Sequence, residues 1–74
     1  MASYVEDTAL ELAQLAFAEA RASGDEQIIL AIDELVGASS QSLQESYATF
    51  VRVLRAEERA RKMLADAAAK RGAS

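Results

Sequence analysis

The residues of this chain that could do chemistry are its carboxylates and its cations, because it holds neither cysteine nor histidine. The carboxylates fall in adjacent pairs, Asp25/Glu26, Asp33/Glu34 and Glu57/Glu58, a grouping that invites general acid–base work. Adjacent positions on a helix point about 100° apart, so no pair converges on one reacting atom. No imidazole is poised near neutral pH and no thiol can act as nucleophile. A di-iron centre in a helical bundle needs Glu-x-x-His on two helices, and the usual zinc ligands are missing. Ser39, Ser40 and Ser42 have no base nearby and read as helix caps. The sequence therefore points away from an enzyme, and it implies no cofactor, no metal and no small-molecule substrate.

The cations are more ordered. Arg52, Arg55, Arg59, Lys62 and Lys70 share one side of a helix, interrupted by Asp66. Such a face can follow a phosphate backbone or meet an acidic protein surface. It can equally be a solvated face. Glu57–Arg61, Glu58–Lys62 and Asp66–Lys70 are i,i+4 pairs with the acid placed first, each worth about 0.2–0.5 kcal/mol. Cations late in a helix also suit its dipole. A pI near 4.6 and the lack of interleaved aromatics argue against nucleic acid.

These residues sit on an element predicted over 42–71. It contains no Gly and no Pro, opens with the capping box Ser42-Leu43-Gln44-Glu45, and runs to Gly72. Its length is about 44 Å at 1.5 Å per residue, longer than a compact domain of this size is wide. Two apolar stripes lie on it. Leu43, Tyr47, Phe50, Val51 and Leu54 form the first, but its continuation meets Glu57 and Arg61, so no continuous heptad zipper runs along it. Val53, Ala56, Ala60, Met63, Leu64 and Ala67 form the second, rotated by roughly 140°. Two stripes imply two neighbours: the first packs within the chain, and the second is covered by a partner or left in water. Gly72-Ala73-Ser74 should fray.

Two shorter helices precede it. One is predicted over 4–23, opened by the box Ser3-Tyr4-Val5-Glu6 and closed by Gly24 in a left-handed conformation. Its apolar positions, Val5, Ala9, Leu12, Ala13, Leu15, Ala16, Phe17 and Ala20, fill an arc of roughly 200°, wide enough for two neighbours. The other is predicted over 25–36, capped by Asp25 or by a Ser23–Glu26 box and stopped by Gly37. Ile28, Ile29, Ala31, Ile32, Leu35 and Val36 gather on one side, while Leu30 falls on the polar side as a possible interface contact.

The chain of 74 residues is near the lower limit for a self-sufficient core. Half its residues are hydrophobic, but alanine supplies many of them, and large apolar side chains are few. Alanine removes little area from water, at about 25 cal/mol per Å². Small domains add disulfides, a metal or a partner, and the first two are closed to this chain. Charge adds a second hint. Residues 1–37 carry eight acids against Arg21 alone, a net of −7, and residues 38–74 carry a net of +3. The longest strongly apolar run is Ile28–Ile32, too short to span a membrane, and residues 1–7 have neither the basic nor the apolar part of a leader. With no cysteine, a cytoplasmic setting is the expectation.

The expected fold is all-α: one domain over 1–74, a small three-helix bundle or helical hairpin with a long C-terminal helix, assembled as a homodimer. The expected function is a small non-catalytic helical interaction module that self-associates, or that binds another helical protein. Its partner face is Val53, Ala56, Ala60, Met63, Leu64 and Ala67, with Leu30. The alternative is a regulator whose basic C-terminal helix binds nucleic acid or an acidic protein.

Overall fold

The computed structural model describes residues 3–72 as three helices, α1 (Tyr4–Ser23), α2 (Gln27–Gly37) and α3 (Gln41–Gly72), with no strand among the described residues. Residues 73 and 74 of the expected frayed tail lie outside the described residues, and Gly72 itself ends α3.

α1 has the expected limits, because both of its ends are set by local bonds. The Ser3 Oγ accepts from the Glu6 N–H at 3.0 Å, satisfying a donor that the first turn leaves open. At the other end Gly24 takes φ 76° and its N–H donates to the Ala20 carbonyl at 2.8 Å. Only glycine enters that region without a steric penalty.

The starts of α2 and α3 differ from expectation. α2 begins at Gln27, because Ser23 and Asp25 build a turn ahead of it. The Ser23 Oγ accepts from the Asp25 N–H at 3.1 Å and the Asp25 Oδ1 accepts from the Gln27 N–H at 2.9 Å. α3 begins at Gln41, since the Ser40 Oγ accepts from the Leu43 N–H at 3.1 Å and takes the cap position. Ser42 then lies inside the helix, and Glu45 receives the Gln41 side-chain amide at 3.2 Å instead of closing a box. Gly37 does not stop α2 by a left-handed turn; it is the last helical residue. Its missing side chain makes room for Gln44, whose amide fills the space a Cβ would take. From there the Gln44 Nε2 donates to the Asp33 carbonyl at 3.2 Å and to its carboxylate at 3.1 Å, tying α3 to α2.

Each helix touches both others, as the wide arc on α1 requires. α1 and α3 run in the same direction, with Arg21 beside Glu58 and Phe17 beside Arg55. The buried core is Ala9, Ala13, Ala16, Phe17, Ala20, Ile29 and Tyr47, and four of these seven are alanines from one side of α1. Small side chains let α3 and α2 approach closely, but they bury little. Leu15 and Leu35, placed by their periodicity on the apolar arcs, are 60% and 68% exposed. Leu15 lies at the edge of its arc, and Leu35 lies about 120° around α2 from Ile29, the buried residue of that helix.

Tyr47 anchors the interior. It is 1% exposed and its hydroxyl donates to the Ile29 carbonyl at 2.8 Å, pinning α3 to α2. Burial pushes its pKa up from 10.0, the nearby Asp33 charge adds to this, and Arg55 opposes it. The folded chain thus holds the phenol proton more tightly than the unfolded chain does. Its contribution is fully present below pH 10.0 and is lost as pH rises through the folded pKa. Urea midpoints should therefore fall faster above pH 10 in the parent than in Tyr47→Phe, and equal slopes would remove the phenol from this account.

Candidate self-association face

The second stripe is carried by the half of α3 that extends past the other helices. α1 ends at Ser23, close to the level of Glu58, and every residue from Ala56 to Gly72 is exposed. The stretch past Glu58 is about 21 Å of helix. The Cα radius of gyration is accordingly 15.3 Å, against about 11 Å for a compact chain of this length.

Val53, Met63 and Leu64 are 55%, 74% and 70% exposed, and Ala56, Ala60 and Ala67 are exposed beside them. The periodicity of α3 sets these six on one side, turned away from Tyr47, Phe50 and Leu54, which face α1 and α2. Leu30 is exposed as expected, at 54%, but it stands elsewhere. It lines a groove between α2 and α3 with Ile29, Tyr47, Val51, Arg52 and Arg55, and the structure does not bring it together with the stripe. Leu15 and Leu35 are further exposed apolar residues that periodicity assigned to the interior; an edge position was an available signal for Leu15, and none was for Leu35.

The basic face is not uniform. Arg55 is half-buried, with its guanidinium 5.5 Å from the centre of the Phe17 ring and 3.8 Å from the Glu26 carboxylate. A cation over an aromatic face is a packing contact as well as an electrostatic one, so Arg55 belongs to the bundle. Lys62 pairs with Asp66 at 3.2 Å. Arg52 reaches Thr49 at 3.5 Å, and Arg52, Arg59 and Lys70 have no ion-pair partner among the described residues.

Of the three expected pairs only Glu57–Arg61 forms, at 2.7 Å. Glu58 turns to Arg21 on α1 at 2.9 Å, because its position faces the end of that helix. Asp66, with a cation one turn away on either side, takes Lys62 and leaves Lys70. All these pairs are substantially exposed, so each contributes about 0–1 kcal/mol. They orient side chains more than they hold the fold.

Among the described residues no group of three or more carboxylates is placed to hold a metal ion, and no helix is long and apolar enough to cross a membrane. Comparison with protein-family models, with curated proteins and with solved structures gives no match.

Proposed function

We propose that this chain is a small non-catalytic interaction module that assembles with a second copy of itself through the outer face of α3. The support is the exposed area. The chain leaves 5635 Å² in contact with water, whereas a folded monomer of this mass exposes about 4,400 Å². The excess, about 1,200 Å², is of the order that one partner loses in an interface of standard size, about 800 Å². The projecting half of α3, exposed along its whole length, contributes to that excess and carries Met63 and Leu64 in otherwise charged surroundings. Met adapts to a facing surface without a fixed shape, and the neighbouring alanines allow close approach.

Sedimentation equilibrium tests this at low and at high salt. The parent should give twice the chain mass of 7.9 kDa, and Leu64→Glu should return it to the single-chain value with its helix content unchanged. A dimer kept in high salt assigns the association to the apolar face; one lost in high salt assigns it to charge. If Leu64→Glu keeps the parent's mass while Leu35→Glu loses it, the interface lies on α2 instead. A parent that remains single at all concentrations sinks self-association and leaves the face to a different protein.

The competing reading, a basic helix laid on nucleic acid or on an acidic protein, draws on Arg52, Arg59 and Lys70 having no acidic partner among the described residues. The internal use of Arg55 and Lys62 takes two of its five cations away. Binding to a duplex that weakens steeply with salt would favour it.

A further inference from the structure

We infer that the second copy lies antiparallel along α3, with the two-fold axis crossing between Arg61 and Lys62. This rests on the self-association proposed above and specifies its geometry. Five residues of the exposed stripe, Val53, Ala56, Ala60, Met63 and Ala67, with Lys70 of the basic face after them, follow a 3-4-3-4-3 spacing. That is a heptad seam, on the opposite side of α3 from the stripe that packs inside the chain.

The order of side-chain sizes along the seam chooses the direction. Laid antiparallel, Ala60 faces Met63 of the second copy, Ala56 faces its Ala67, and Val53 faces the aliphatic stem of its Lys70. The two layers beside the axis then each combine Ala60 with Met63, a small residue with a large one, and facing surfaces interdigitate best that way, while the Ala56–Ala67 layers outside them allow close approach. Laid parallel, like faces like. Met63 would stack on Met63, two consecutive alanine layers would hold the helices close beside it, and Lys70 would meet Lys70 in the seam.

The flanking charges agree. Antiparallel pairing brings Arg59 of each copy to Asp66 of the other, twice about the axis. Arg59 is a cation without an ion-pair partner among the described residues, and Asp66, exposed on the same edge of the seam, would share its carboxylate between Arg59 of the other copy and its own Lys62, which it holds at 3.2 Å. Parallel pairing would set Arg59 against Leu64 and leave that cation unpaired, and it would set Asp66 against Arg71 and Arg52 against Glu57, which Arg61 already holds at 2.7 Å. The long-range field points the same way. Residues 59–72 carry five cations against Asp66, and residues 1–37 carry a net of −7. Antiparallel copies run each basic end back toward the other's acidic body, whereas parallel copies would set two acidic bodies side by side. α1 and α2 pack on the other side of α3, against Tyr47, Phe50 and Leu54, which leaves the seam side uncovered.

The chain has no cysteine, so a single Thr49→Cys substitution gives one spin label per copy. Thr49 is exposed and lies just beyond the seam. An antiparallel pair separates the two labels by about 40 Å, and a parallel pair by about 10 Å, from the rise per residue and ordinary helix spacing. A pulsed dipolar measurement reads the distance directly. In a parallel experiment Arg59→Asp should weaken association roughly tenfold or more by opposing Asp66 of the other copy, and adding Asp66→Arg should restore it. A dimer with labels near 40 Å and a rescued double variant supports the pairing. A dimer with labels near 10 Å, or an unrescued double variant, overturns the antiparallel register while self-association stands. A single-chain mass under all conditions overturns both.

Discussion

Tyr47→Ala is expected to cost about 3–5 kcal/mol, enough to lower the thermal midpoint by roughly 12–40 °C in a domain of this size. Tyr47 is the largest side chain that is fully buried, and it has no substitute. The rest of the buried set is four alanines, Phe17 and Ile29. Truncation would leave a cavity where α1, α2 and α3 meet and would strip the Ile29 carbonyl of the phenol donor. A chain of this length has a total stability of about 4–11 kcal/mol, so the variant is expected to be largely unfolded near 37 °C. Tyr47→Phe separates the two contributions. It keeps the ring and loses one hydrogen bond, at about 1 kcal/mol. Circular dichroism melts at one fixed chain concentration provide the comparison, since self-association couples stability to concentration. A Tyr47→Ala midpoint within a few degrees of the parent would show that the interior is not organised on this residue.

Ala13→Leu should cost about 1–3 kcal/mol, a fall of roughly 4–24 °C in midpoint, although it makes the chain more hydrophobic. Ala9 and Ala13 are both 0% exposed, and with Ala16 and Ala20 they form the surface on which the rest of the bundle closes. A leucine there has no space to enter, so α1 must move away from its neighbours and uncover Phe17 and Ile29. Ala22→Leu on the exposed side of α1 is the control, and it should fall within about 0.5 kcal/mol of the parent. If the two variants melt together, the alanine surface is not a close contact and the bundle is looser than its geometry indicates.

Where an element was legible in the sequence, its cause lay within one helical turn. The ends of α1 were readable because Ser3 reaches only to Glu6, and Gly24 only back to Ala20. Tyr47, Phe50, Val51 and Leu54 were readable as an inward stripe because helical periodicity fixes which residues share a side. The outward stripe was readable for the same reason, and so was the exposure of Leu30. The sequence also offered more caps than the helices could use. Ser39, Ser40 and Ser42 all stood before α3, and Ser23 and Asp25 both stood before α2. Which one acts depends on how the connecting turn is drawn against its neighbours, a matter local propensity leaves open.

The tertiary structure alone decided what lies across from each side chain. Glu58 and Lys62 are correctly spaced for an ion pair, yet Glu58 meets Arg21, a residue 37 positions away. Arg55 belongs to a cationic row by spacing, but the approach of α1 places it over Phe17. Gly37 looked like a helix stop, but it is needed for the side chain of Gln44. Leu15 and Leu35 were apolar by pattern and exposed in fact, because periodicity gives the width of an apolar arc and not the reach of the helix that covers it. Residue types and their spacing were enough for three helices, a small alanine-rich interior and a second apolar side on the longest helix. Only the packing determined that α1 and α2 stop short, leaving the end of α3 and that side open to water.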